Sequence, residues 1–370
     1  MRELLDYQAD QIERVCLSHR LPVRVAGGTV TPRLVQFRLC PGPGVKLSRL
    51  ESLAEDLALA LGAPSCRLQR QADALALEVP RDDALGTVRL LSLTRGLSSP
   101  PPFTATLGLE RQGKPLLLRL SSPEVAHVLI AGTTGSGKTE LARAMIVSLV
   151  LSTPPERLRL LLVDPKGRAF RAFDPLPHLI CPAIADVAAA QARLEGLVAE
   201  MERRDRLGIN EPRLVVFMDE LADLLLVGGK AMEGVLARLV ARGRECGVHV
   251  VGCTQRPSAG VLGGLVRANF PCRLVGKVAS VEDGRIAAGV SGASAERLAG
   301  RGDFLLVVRG EMRRFQAGYV SAADVRQVVS ELAEGRRLAT SVSPRAAGAR
   351  ATTAVTTASS PWPSFLRLIK

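Results

Sequence analysis

Few folds can accommodate the stretch from Val125 to Glu140. A largely apolar run, Val125 to Ile130, leads into a complete G-x-x-x-x-G-K-[ST] loop: Gly132, Thr133, Thr134, Gly135, Ser136, Gly137, Lys138 and Thr139. The glycines let the backbone close into a nest of N–H groups around a phosphate, and this works only between a strand that fixes one end and a helix that starts at the other. Leu141, Met145 and Leu149 recur at i, i+4 and i+8, so a helix is predicted over 139–152. Residues 132–139 therefore read as a nucleoside triphosphate site, with ATP as the expected cofactor. Lys138 offsets the β/γ charge and the Thr139 hydroxyl is a ligand for Mg²⁺.

A second element of such a site lies at Arg213 to Glu220, an apolar strand that ends in two acids. The first carboxylate, Asp219, is the expected Mg²⁺-shell residue. The second, Glu220, is the candidate general base for an attacking water. An acidic helix cap after a core strand would account for Asp219 alone. The two motifs in this order favour a site that hydrolyses ATP as well as binding it.

Composition narrows the partners. The chain has 370 residues, room for two domains, and 47% hydrophobic but only 3% aromatic residues suit an aliphatic α/β core. A formal charge of +13 calls for a polyanionic partner, nucleic acid foremost, although solvated basic faces produce the same balance. The seven cysteines show no C-x-x-C spacing and read as buried thiols of a reducing compartment. The four histidines show no paired metal-ligand spacing. No apolar run reaches the ~18 residues needed to span a bilayer, and the first residues lack a basic signal region, so a cytoplasmic chain is expected.

Along the chain, Leu5, Ala9, Ile12 and Cys16 mark a short amphipathic helix within 1–19. Residues 20–100 read as a small α+β domain. Leu34 to Leu39 and Ala74 to Val79 are its strands, and a capping box at Ser48 and Glu51 opens a helix that Gly62 stops. The prolines at 100–102 mark a linker. Over 101–335 strands are predicted near 116–120, 126–130, 158–163, 213–218, 248–253, 273–278 and 304–308, with helices at 139–152, 186–207 and 229–245. That alternation predicts a mostly parallel sheet with helices on both faces. Residues 336–370, rich in Ala, Ser, Thr and Pro, read as a mostly disordered tail.

The motifs taken together resemble the motor of FtsK/SpoIIIE-type DNA translocases over about residues 20–320. The matching pieces stand in order: Pro43 to Ser48, Ala131 to Thr139, Val163 to Lys166, Met201 to Arg204, Met218 to Asp223, Cys253 to Pro257, Val266 to Asn269 and Arg301 to Phe304. The resemblance implies a RecA-like P-loop ATPase that assembles as a hexameric ring and threads double-stranded DNA without regard to sequence. It assigns an arginine finger, delivered to the neighbouring subunit, to Arg244, with Arg242 the alternative on the same segment. It gives Gln255 a phosphate-sensing or water-orienting role, against the plainer reading of a capping amide. DNA contacts fall to Arg256, Arg267 and Arg285, all basic and without aromatic partners, as grip on phosphates requires.

The resemblance also has departures. Val281 stands where relatives often carry another basic pore residue, with Lys277 nearby as a substitute. The family's transmembrane tether and C-terminal winged-helix module have no counterpart, which leaves room for a separate membrane-bound partner. Two competing readings keep the ATPase: a ring motor for protein export, or a slow nucleotide-dependent DNA-binding switch.

Overall fold

A strand that is apolar on both faces can be buried only if each face is covered, and the parallel strands of the larger unit are of this kind. The computed structural model describes residues 2–335 apart from 31–33, 64, 72–73, 81–86, 98–99, 111–112, 256–263 and 265–267. The expected tail at 336–370 lies outside the described residues, as do Arg256 and Arg267. The chain divides into a unit of residues 1–88 with 111–113 and a unit of residues 89–110 with 114–370. Residues 89–100, expected in the small domain, thus belong to the larger unit.

In the smaller unit, helix α1 (Arg2–Ser18) is followed by β1 (Val23–Val30), β2 (Leu34–Pro41), α2 (Leu47–Glu51), α3 (Ala54–Ala60), β3 (Arg67–Gln71) and β4 (Ala74–Pro80). The strands form an antiparallel sheet in the order β1-β2-β4-β3. Ile12 and Cys16 of α1 share one core with Phe37, Leu57 and Leu77, so the helix read over 1–19 is part of this unit. The capping box expected at Ser48 is absent. The helix begins two residues earlier, Lys46 is its N-cap without a side-chain bond, and the helix ends at Ser52 before the chain resumes as α3.

The larger unit contains α4 (Leu90–Arg95), β5 (Thr104–Glu110), β6 (Pro115–Arg119), β7 (Val128–Ala131), α5 (Lys138–Ser152), β8 (Leu158–Val163) and α6 (Val187–Leu207). These are followed by β9 (Arg213–Met218), α7 (Leu221–Arg242), β10 (Val248–Thr254), β11 (Cys272–Val275), α8 (Val281–Ala288), β12 (Asp303–Val308), β13 (Glu311–Ala317) and α9 (Ala322–Ala333). One nine-stranded sheet runs β6-β5-β13-β12-β11-β7-β10-β9-β8. From β11 to β8 all neighbours are parallel, whereas β12, β13, β5 and β6 extend the sheet as an antiparallel wing. The sheet is therefore parallel where a phosphate loop needs it and antiparallel elsewhere. β5 and β13 escaped sequence reading.

Leu160, Leu162, Val215, Phe217, Val128 and Ile130 face one core, which α5 and α9 cover. Leu161, Val163, Leu214, Val216, Met218 and Leu129 face the other, under α6 and α7. Helix α5 is buried at every residue from Ala144 to Val150, so the predicted Leu141-Met145-Leu149 stripe is only one side of a helix enclosed all round. Helix α7 begins at Leu221, well before the expected 229, and is broken at Gly229 (φ 58°, ψ −150°). Of the cysteines read as buried thiols, Cys16, Cys246, Cys253 and Cys272 are buried, but Cys40 is exposed. No helix among the described residues is long and apolar enough to cross a membrane.

Candidate active site

The phosphate loop joins β7 to α5 at the carboxyl end of the parallel strands. Its glycines are required by geometry: Gly132, Gly135 and Gly137 have φ of 154°, 79° and 102°. A Cβ on Gly132 would come within 2.8 Å of Ser136 Oγ, and one on Gly137 within 3.0 Å of the Gly302 nitrogen. Gly137 is the N-cap of α5, so the first N–H groups of that helix, from Lys138 onward, have no carbonyl of their own helix to bond.

Neighbouring segments hold the loop from both sides. Gly132 N–H donates to Thr254 O at 3.2 Å, and Thr133 N–H donates to Lys277 O at 2.7 Å. The Thr133 hydroxyl reaches the same carbonyl at 3.0 Å, and the Thr134 hydroxyl donates to Gln255 Oε1 at 2.9 Å. Arg301 and Gly302 donate backbone N–H groups to Gly135 O (3.1 Å) and Ser136 O (2.8 Å). Lys138 is buried and its Nζ donates to Thr133 O at 3.0 Å. Burial pulls its pKa down, opposed by the nearby thiol of Cys253 and the carboxylates of Glu220 and Asp219. A cation so poorly hydrated gains when phosphate oxygens approach it.

Strand β10 lies between β7 and β9, so the acids at the end of β9 face the loop across one intervening strand. Asp219 donates its N–H to Val163 O at 2.9 Å, and its Oδ1 accepts the Thr139 hydroxyl at 3.1 Å. Burial raises the pKa of Asp219, with the Thr139 hydrogen bond acting the other way. Among the described residues no cationic side chain pairs with it, and none of them form a cluster of three or more metal-ligating side chains. A hydroxyl and a carboxylate converging beside a phosphate loop fit Mg²⁺. That ion takes one or two protein oxygens and completes its shell with phosphates and water.

Glu220 is buried and caps α7 in the left-handed region (φ 58°, ψ 63°). A non-glycine residue held there costs on the order of 1–3 kcal/mol and persists where the surroundings impose it. Its Oε1 accepts the Gln255 N–H at 3.1 Å. Lys166 Nζ stands 3.9 Å from its Oε2 and 3.0 Å from Asp223 Oδ2. The hydrogen bond to Asp223 raises the pKa of Lys166 and so favours its charged ammonium. Sequence reading gave Lys166 no role, although Val163 to Lys166 was one of the motifs that stood out. It likewise gave none to the Arg301-Gly302 backing of the loop.

Arg244 lies elsewhere. It follows α7 and precedes Val248, the first residue of β10, whereas Thr254 at the other end of that strand touches Gly132. Seven residues of strand separate the two ends, roughly 20 Å at ~3.3 Å per residue. Arg238 and Arg242 are tied to Glu202 and Asp205 of α6, while Arg244 has no ion pair within 4 Å among the described residues. It borders a cleft of about 470 Å³ that Glu124, Phe270 and Arg309 also line.

Of the expected DNA contacts, Arg285 is described. It is exposed on α8 and pairs with Glu282 at 2.6 Å. Val281 opens the same helix and is 69% exposed. Lys277 turns out to serve the phosphate loop through its carbonyl, and its side chain is exposed beside Gly300. The segment after Gln255 and the segment after Lys277 leave the carboxyl ends of β10 and β11, the strands that flank β7.

With this geometry in hand, comparison with known proteins is informative. Residues 97–207 and 207–259 match the model of the FtsK/SpoIIIE family, and residues 2–81 match that of the FtsK alpha domain. A DNA translocase FtsK of Sporosarcina ureae is 33% identical over 369 residues, covering 90% of this chain and 47% of that protein. The DNA translocase SftA of Bacillus subtilis (strain 168) is 33% identical over 356 residues, covering 89% of this chain and 37% of that protein. The chain thus spans about half or less of the length of these relatives. Among solved structures, the pCW3 conjugation coupling protein TcpA, in a monomer form with ATPgS, superposes with a TM-score of 0.58 at 19% identity. That match covers 88% of this chain and 99% of the other, and it supports the fold.

Proposed function

The chain belongs to the FtsK/SpoIIIE family, and from that premise we propose that it is an ATP-hydrolysing motor that moves double-stranded DNA. One observation carries the reading. The loop that holds the phosphates is hydrogen-bonded to both segments that lead toward the basic DNA-contact candidates, through Thr254 and Gln255 on one side and Lys277 on the other. Thr254, Gln255 and Lys277 thus give a change at the γ-phosphate a short covalent path to the chain that carries those candidates.

In this reading residues 132–139 bind the triphosphate, and Lys138 neutralises the β/γ oxygens. Thr139 and Asp219 hold Mg²⁺, which when bound offsets the charge that builds on the phosphates. Glu220 takes the proton of the attacking water, while Gln255, bonded to Thr134, orients it. Arg244, on the side away from its own phosphate loop and without an ion pair among the described residues, reaches the γ-phosphate of a neighbouring subunit in a ring, a hexamer in our reading. Arg256, Arg267 and Arg285 grip phosphates and confer no base preference. We place the protein in the cytoplasm, where ATP is supplied and free thiols persist.

ATP turnover measured with and without a long duplex tests the proposal. A DNA motor is strongly stimulated by duplex, a protein-export motor is indifferent to it, and a binding switch is slow in both conditions. Images of ATP-bound protein with duplex would then show a ring around DNA, and their failure to do so would remove the hexamer.

A further inference from the structure

Glu220 is constrained at both carboxylate oxygens, at one by a backbone N–H and at the other by a lysine that has no part in the hydrolysis scheme above. Oε1 takes the backbone N–H of Gln255 at 3.1 Å, and Oε2 lies 3.9 Å from Lys166 Nζ. Lys166 is itself anchored, by Asp223 at 3.0 Å. The turn that carries it is fixed from within, because Asp164 Oδ2 accepts the N–H groups of Ala169 and Phe170 at 2.7 and 3.0 Å. The register of Val163 against Met218 brings this turn alongside Glu220.

We propose that Lys166 is a positioning residue for hydrolysis, its ammonium holding the Glu220 carboxylate in the orientation from which it takes the proton of water. A glutamate has three rotatable bonds and finds many poses unless its oxygens are tethered. The tether here is a charge contact between a buried carboxylate and a half-exposed lysine that Asp223 holds in place. Lys166 also offsets the negative charge that Asp223, Glu220 and Asp219 concentrate around the end of β9. The inference rests on Glu220 being the base.

The test is steady-state ATPase of the full chain with duplex DNA present, comparing Lys166→Met, Lys166→Arg and Asp223→Asn, each checked for an unchanged melting temperature. A displaced catalytic group can cost up to about 100-fold in rate, so Lys166→Met is expected to lower kcat about 10- to 100-fold with KM for ATP and nucleotide affinity nearly unchanged. Lys166→Arg should recover most of the loss, and Asp223→Asn should show a smaller one. In a Glu220→Gln background Lys166→Met should change nothing further, because the two act as a unit. Wild-type kcat in Lys166→Met beside an inactive Glu220→Gln would overturn the inference alone. So would a fall in nucleotide affinity as large as the fall in kcat, which would make Lys166 a phosphate ligand, or equal losses in the Met and Arg variants. Wild-type turnover by Glu220→Gln would instead remove the reading of Glu220 itself.

Discussion

The Thr139 hydroxyl donates to Asp219 Oδ1 at 3.1 Å across 80 residues of sequence. That contact brings together the two side chains proposed to hold Mg²⁺. It exists because β9 stops at Met218, one strand beyond β10, so that the next residue emerges level with the first turn of α5. The same step places Glu220 in a left-handed cap, tied to Gln255.

Lys138 and Glu220 should therefore fail in different ways. Lys138→Ala is expected to lose tight ATP binding, since it removes the buried cation of the loop. Glu220→Gln should bind ATP normally and turn over ~10²- to 10⁴-fold more slowly, the usual cost of losing an acid–base group. Equilibrium binding of a fluorescent ATP analogue, paired with phosphate-release rates, separates the two. Comparable turnover in Glu220→Gln and the unmodified protein would exclude Glu220 from the mechanism.

The pairing of Arg242 with Asp205, and the absence of such a pair at Arg244 among the described residues, gives opposite expectations for neighbouring arginines. Arg244→Ala should keep nucleotide affinity and lose hydrolysis, whereas Arg242→Ala should retain most activity. Because the proposed finger works on another subunit's nucleotide, mixing Arg244→Ala with Lys138→Ala protein should restore part of the rate. Verified mixed assemblies that never regain turnover would refute the assignment in trans.

Binding to duplexes of unrelated sequence should be equal and steeply salt-dependent. Each neutralised phosphate adds roughly −0.9 to the slope of log K against log salt, so removing Arg256, Arg267 or Arg285 should flatten it by about one unit per lost contact. A phosphate-gripping Arg285 would have to give up its bond to Glu282, so Glu282→Gln should tighten binding slightly. A slope unchanged after all three arginines are replaced would count against DNA contact at these positions.

Gly247 closes the turn that carries Arg244, with φ of 71° and a hypothetical Cβ only 2.0 Å from Asn210 O. Gly247→Ala is expected to destabilise the fold by at least about 1–3 kcal/mol from the left-handed conformation alone, with the clash in addition. Thermal unfolding measures this directly. A melting temperature equal to that of the unmodified protein would mean that the turn relaxes freely.

Acid stability should depend on Glu200. The guanidinium of Arg203, with that of Arg204, holds its carboxyl down from 4.5 to about 2. A folded-state pKa below the unfolded value stabilises the fold above the unfolded pKa, and the gain is lost as pH falls through the window from 4.5 to about 2. Glu200→Gln should lower stability at neutral pH and flatten the decline across that window. Chemical denaturation at a series of pH values would show it, and parallel curves for the two proteins would disprove it.

Much of the nucleotide site was legible in the chain because its chemistry is local. Gly132, Gly135 and Gly137 sit where the backbone needs positive φ, Lys138 and Thr139 follow directly, and the apolar strand before Asp219 declares itself by composition. Strand and helix periods likewise depend on near neighbours, and they announced the parallel half of the sheet. Tertiary structure alone decided which strands lie side by side: β10 between β7 and β9, and the antiparallel wing of β12, β13, β5 and β6. It also decided that Lys166 meets Glu220, that Arg242 is paired with Asp205 of α6, and that α1 joins the core of the smaller unit. These are contacts between residues far apart in sequence. No periodicity records them, because their partners are chosen by how the burial of apolar faces brings the elements together.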